Sequence, residues 1–229
     1  MKKRDLILIV LLILILGFAF FYYNYQKNIE LEQSYNSKGW NLYKQGKYDE
    51  AIIKFKKYIE RKNNNFYAHS GLAWSLYGKK VYDEAVDSFK TAIQLNPNDY
   101  DVHNGLGWSY FNLAQYEDSV KAFKKAIELN PVHANSYDGL GWGYYSLNFT
   151  DEYWKESYRE WLSYFNYSRE AFEHSIQLNS NKSSSYIGLG YLFQLKAKSS
   201  NSIADYESSR EAFKKALGLD NTSVSAYKG

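Results

Sequence analysis

The chain repeats itself every 34 residues, and no other property narrows its possible folds so far. The stretch FYAHSGLAWSLYGKKVYDEAVDSFKTAIQLNPND, from Phe66, runs without a gap into YDVHNGLGWSYFNLAQYEDSVKAFKKAIELNPVH, from Tyr100. Residues 32–65 fit the same frame, with Gly39-Trp40 early and Tyr48-Asp49-Glu50-Ala51 midway. Further copies open at Ala134 and Ser183, and residues 224–229 read as the start of a sixth that the chain does not finish. The expected organisation is therefore 32–65, 66–99, 100–133, 134–182 and 183–223.

Each copy carries a phenylalanine at one place: Phe55, Phe89, Phe123, Phe172 and Phe213. Four residues later stands Ile59, Ile93, Ile127, Ile176 or Leu217, and four earlier a small residue, Ala51, Ala85, Ser119, Ser168 or Ser209. That i, i+4 spacing marks one face of a helix, with a small side chain where a neighbour comes close. The two prolines of the chain, Pro97 and Pro131, each follow an Asn and close a copy, where a helix must stop. A 34-residue unit of two amphipathic helices cannot bury its apolar face alone, so neighbouring units must stack.

Leu106-Gly107, Tyr110, Tyr116, Phe123, Ala126 and Pro131 carry a pattern that resembles the tetratricopeptide repeat family over about residues 32–223. Some places depart from it: Ala73 replaces an early Gly, and Asn63, Ser180 and Asn221 stand where proline would close a repeat. The resemblance implies an all-α fold, a right-handed α-solenoid of five helix-turn-helix repeats whose first helices line a concave groove.

Two copies are longer than the rest. Gly141 to Phe172 spans 31 residues where Gly107 to Phe123 spans 16, and Gly190 to Phe213 spans 23. The segment from Asp151 has no Gly or Pro and sets Trp154, Tyr158, Trp161 and Phe165 on one helical stripe. The second helix of this copy is predicted to begin near Thr150, as N-cap, and to run to about Leu178. A loop or short helical extension is expected around Lys198.

Ahead of the repeats lies a different kind of segment. Residues 6–23 contain eighteen positions without a charge, preceded by Lys2, Lys3 and Arg4 and finished by Phe20, Phe21, Tyr22 and Tyr23. As a helix this is about 27 Å long, close to the hydrocarbon thickness of a bilayer. The expectation is a single transmembrane helix over 6–23, after a basic tail at 1–5 and before a linker at 24–31. The flanking charge predicts a cytoplasmic N-terminus and extracytoplasmic repeats, so the lipid bilayer is one expected partner.

The other partner is expected on the groove. Trp40, Trp74, Trp108 and Trp142 follow the early Gly or Ala of four copies, and three positions on come Tyr43, Tyr77, Phe111 and Tyr145. By the resemblance both sets face the concave side. The ladder is either packing between first helices or an aromatic floor for a ligand, since such rings dominate binding hot spots. Asn36, Ser70, Asn104 and Asp138 recur at the same 34-residue interval, and Asn104 and Asp138 are expected beside the ladder as ligand contacts. Trp154, Tyr158 and Trp161 form a second candidate surface. Asn135 to Ser146 holds no Lys or Arg, which argues against gripping acidic peptide tails and for an uncharged peptide segment. A glycan or envelope polymer stacking on the same rings is the alternative.

Other functions find no support. With 28 basic and 25 acidic residues the net charge is +3, far from a nucleic-acid binder, and no cysteine offers a thiolate or a zinc ligand. His69 and His103 are equivalent places in two copies, and His133 and His174 stand alone, so no metal site is expected. No phosphate loop, nucleophile elbow or HExxH occurs, so no enzyme and no cofactor are expected. The expected function is a membrane-anchored scaffold for protein partners, in assembly of a membrane or cell-envelope complex; nothing in the sequence sets an oligomeric state.

Overall fold

A computed structural model describes residues 14–23, 27, 37–150 and 158–220. Among these every regular element is a helix. The first helix of the first repeat, α1, is seen over residues 37–44. Then come α2 (Tyr48–Ile59), α3 (Phe66–Gly78), α4 (Tyr82–Leu95), α5 (Tyr100–Asn112), α6 (Tyr116–Leu129), α7 (Ala134–Thr150), α8 (Tyr158–Leu178), α9 (Ser183–Ser200) and α10 (Ile203–Leu219).

Consecutive helices pack antiparallel, and α3, α5, α7 and α9 also touch one another in series. The second helices α4, α6, α8 and α10 make no such contacts among themselves. One layer is therefore close-set and the other fanned out, which curves the stack with the first helices inside. This is an α-solenoid.

Phe55, Phe89, Phe123 and Phe172 have no exposed surface. Each ring lies between two first helices, where the chain removes its own Cβ atoms. A Cβ on Gly107 or on Gly139 would run into the Phe123 ring, and Gly39 and Gly71 flank Phe55 in the same way. The slot is thus built by glycines of two successive repeats. Phe213 is only half-buried. Gly190 covers one side of its ring, while Gly229, the place equivalent to Gly188 one repeat on, lies outside the described residues.

The small residue four before each Phe closes the same joint. Ala51 and Ala85 are wholly buried. In the later repeats a serine takes that place and its hydroxyl donates to a first-helix carbonyl: Ser119 to Gly107 at 2.9 Å, Ser168 to Gly141 at 2.9 Å, Ser209 to Gly190 at 2.8 Å.

Turns repeat as faithfully as helices. Between first and second helix one residue takes the left-handed region: Gly46 at φ 73°, Lys80 at 66°, Ala114 at 57° and Asn201 at 52°. Between repeats, Asn96, Asn130 and Asn179 each accept a hydrogen bond from the backbone N–H two residues on, at 3.3, 3.3 and 3.1 Å. Asn179 does so before Ser180, so the asparagine keeps the turn where proline is missing. Nε2 of His69 donates to the Asn63 carbonyl at 2.7 Å, and Nε2 of His103 to Pro97 at 2.9 Å, so these two histidines pin the loop to the following helix.

The long fourth repeat differs from expectation. Thr150 does not cap the second helix; it ends the first, so α7 has 17 residues against 13 in α5. The insertion is shared by both helices, with α8 reaching 21 residues against 14 in α6 and ending at Leu178. In the fifth repeat the extra residues likewise lengthen α9 and α10, joined tightly through Asn201-Ser202. These extensions meet each other. Nζ of Lys196 lies 5.8 Å from the Phe165 ring centre and 2.9 Å from the Asp205 carboxylate. That partnership holds the Asp205 carboxyl below its ordinary range.

The expected membrane span falls partly on residues 6–13, outside the described residues. Residues 14–23 are helical with their side chains exposed. Among the described residues no helix is long and apolar enough to cross a membrane.

Candidate functional site

The inner layer presents one ring motif four times. Trp40, Trp74, Trp108 and Trp142 each meet the buried Phe of their own repeat edge-on, with centres 5.6, 5.2, 5.2 and 5.4 Å apart. On the other side each Trp meets Tyr43, Tyr77, Phe111 or Tyr145 edge-on at 5.6 to 5.8 Å. In the first three repeats the row continues to Tyr48, Tyr82 and Tyr116 at the start of the second helix. Every ring of the Trp and Tyr/Phe pairs is half-buried. The choice between core and groove therefore has a divided answer: one edge of each indole packs on the core, and the rest lines the inner surface.

The rings converge on a groove of about 440 Å³ lined by Trp108, Phe111, Trp142, Tyr145 and Tyr191. Three successive first helices supply them. Tyr191 stands 6.5 Å from Trp142 and 6.4 Å from Tyr145, and it takes the place of a fifth tryptophan. Burial, and then the neighbouring Tyr191 phenol, push the Tyr145 hydroxyl up to about 12, so it stays a neutral donor at any physiological pH. No ionisable side chain other than these phenols lines this stretch.

Asn104 and Asp138 take a different role from the one expected. They are 4% and 2% exposed, which leaves no surface for a ligand. Asn104 accepts a hydrogen bond from Ser136 at 3.3 Å. The Asp138 carboxylate accepts from Ser184 at 2.8 Å and from Ser185 at 2.7 Å, with Lys182 Nζ at 3.8 Å. Each ties one first helix to the next. Their 34-residue recurrence marks a joint between repeats. Burial raises the Asp138 carboxyl above the ordinary carboxylate range, against the lowering by Ser185 and Lys182.

The second candidate surface is only partly in view. Trp154 lies outside the described residues, as does the side chain of Tyr158. Trp161 is half-buried and stacked on Phe165 at 5.5 Å. Phe165 is itself 4% exposed and sits under Lys196, so this end of the stripe packs within the two long repeats.

One inner residue was not singled out by the sequence. Asp101, on the first turn of α5, is exposed and accepts from the Trp74 indole N–H. Its only signal was a lone carboxylate at a place taken by Tyr67 and Asn135 in the neighbouring repeats.

Models of the tetratricopeptide repeat match residues 32–65 and 100–133, and a TPR repeat model matches 75–114. The chain is built from tetratricopeptide repeats. Among solved structures, one of MamA is 22% identical, covering 82% of this chain and 96% of its own, with a TM-score of 0.63. MamA from Desulfovibrio magneticus RS-1 is 18% identical with a TM-score of 0.66, covering 83% of this chain and 96% of its own. YrrB, described as a TPR protein with an unusual peptide-binding site, is 17% identical with a TM-score of 0.59, covering 82% of this chain and 85% of its own. At these identities the likeness is one of fold. Comparison with curated proteins finds no match.

Proposed function

We propose that this TPR chain is a scaffold that holds a peptide segment of a protein partner along its inner aromatic groove. The observation that carries the reading is the groove of Trp108, Phe111, Trp142, Tyr145 and Tyr191, open on the inner layer and lined by no charge. Rings held from behind by buried phenylalanines lose little freedom on binding, so their contact area converts efficiently into affinity. YrrB, of the same fold, carries a peptide-binding site in its description.

The test is capture of partner proteins on the full-length chain, comparing wild type with Phe111→Ala/Tyr191→Ala. Both rings are half-buried, which spares the Phe123 slot. Helical circular dichroism is expected to stay unchanged while capture is lost. Unchanged capture overturns the groove reading. Quenching of tryptophan fluorescence by soluble glycans, with no protein captured, establishes the glycan reading instead.

We further propose that residues 6–23 anchor the scaffold in a membrane with the repeats on the extracytoplasmic side, where it assembles a membrane or envelope complex. Eighteen uncharged residues behind Lys2, Lys3 and Arg4 support this. Because the chain has no cysteine, Lys198→Cys on the exposed end of α9 gives a single reporter thiol. Labelling by a membrane-impermeant maleimide in intact cells is expected; labelling only after lysis reverses the orientation, and recovery of the chain in the soluble fraction removes the anchor.

A further inference from the structure

Upstream of the uncharged stretch, the inner surface changes character. Helix α3 contains no ionised side chain, and on α5 the only one is Asp101. His103 of α5 is turned away, its ring held by the Pro97 carbonyl. The Asp101 side chain is exposed, yet it stands among rings: Trp74 donates its indole N–H to the carboxylate, Tyr43 feels its charge, and Tyr77 lies 5.8 Å from Trp74.

Nothing cationic answers this charge. Among the described residues no lysine or arginine pairs with Asp101, and the nearest charged group that acts on it is another carboxylate, Asp99. Asp99 is committed to capping α5, accepting from the Val102 N–H at 3.0 Å. Lys79, the basic residue just after α3, is paired with Asp49 on the other side of the repeat. Lys38 and Lys44 on α1 are both exposed. Water loss around Asp101, then Asp99, raise its carboxyl above the ordinary range, against the lowering by Trp74. A carboxylate among aromatic faces is the arrangement that attracts a cation twice over, once by charge and once by the ring quadrupoles.

We propose that the groove between α1, α3 and α5 takes an arginine or lysine side chain of the bound peptide on the Asp101 carboxylate, among the rings of Tyr43, Trp74 and Tyr77. This deepens the groove reading and holds only if the groove takes a peptide. The partner segment then has two parts, an apolar stretch over Trp108, Trp142 and Tyr191 and a basic residue at the α3–α5 end, so charge at one position fixes its direction along the groove. A first-turn acid is also favourable to the dipole of its own helix. That effect acts on stability and leaves peptide preference unchanged, which separates the two.

Random peptides displayed on phage are selected on the full-length chain, on Asp101→Asn, on Asp101→Lys and on Phe111→Ala/Tyr191→Ala, each checked by circular dichroism. Wild type is expected to enrich clones with arginine or lysine at one position relative to an apolar stretch. Asp101→Asn loses that enrichment and binds a selected peptide about tenfold more weakly, while Asp101→Lys selects acidic residues at that position. Clones that depend on Phe111 and Tyr191 but show no basic preference, or keep it on Asp101→Asn, overturn the inference and leave the groove reading standing. Absence of any clone that depends on those two rings overturns both.

Discussion

Phe123 shows how much one side chain contributes here. Its ring fills a slot made by Gly107 and Gly139, with Trp108 edge-on at 5.2 Å. Phe123→Ala is expected to lower stability by about 3–5 kcal/mol, read as a fall in the urea midpoint. Phe213→Ala at the half-buried end should cost visibly less. Adding a carbon from the other side of the slot is equally unwelcome: Gly139→Ala meets the ring with no room and should cost about 1–3 kcal/mol. These rings were legible in the sequence because every copy keeps them. The acids and amides were not. Asp138 shares its spacing with Asn104, but its partners Ser184 and Ser185 lie more than forty residues away, and only stacking brings them together. Its raised carboxyl pKa gives a signed test. Wild type keeps the contribution of a protonated Asp138 below about pH 3.8, the unfolded value, and loses it as pH rises through the folded one. The melting temperature of Asp138→Asn relative to wild type should therefore rise from acid towards neutrality and then level off; a fall over that range contradicts the burial effect.

At the scale of elements, the hairpin turn inside each repeat is the weakest choice the sequence makes. Gly46, Lys80 and Ala114 occupy one equivalent place, all with positive φ, and only glycine sits there without a steric penalty. Ala114→Gly is expected to stabilise by about 1 kcal/mol, measured by urea unfolding, and Gly46→Ala to destabilise by a similar amount. The helices that follow these turns have no side-chain N-cap; α4 and α6 carry Asp83-Glu84 and Glu117-Asp118 in the first turn instead, where the helix dipole favours them. Helix positions were readable where the 34-residue frame held. In the fourth repeat it lapsed, and Thr150 looked like a cap because Ser and Thr suit that place. Nothing local to Thr150 distinguishes starting a helix from ending one. The decision lies in how α7 and α8 lie along each other.

Taken whole, the molecule is graded from its centre to its last helix. Phe55, Phe89, Phe123 and Phe172 are sealed, while around α10 Phe213 is half-buried and Tyr206, Leu217 and Leu219 are exposed. Repeat arrays draw stability from nearest neighbours, so hydrogen exchange should be slowest in α5 and α6 and fastest in α10. Equal protection across both would show that the described packing at α10 understates its support. The aromatic groove spans α5, α7 and α9, across the joint tied by Asp138, so the surface proposed for binding crosses an element boundary that the hydrogen bonds hold fixed.

The glycine slots straddle the sequence repeats. Phe55 belongs to the first copy, yet half of what encloses it, Gly71, is written in the second. The natural scissors line for a fragment is therefore not where one 34-residue copy hands over to the next. A piece cut after α4 leaves the Phe89 ring uncovered, whereas one extended through α5 brings Gly105 to close it. Deletion libraries or autonomous sub-fragments taken from this protein should survive when they finish on an inner helix and fail when they respect the apparent period.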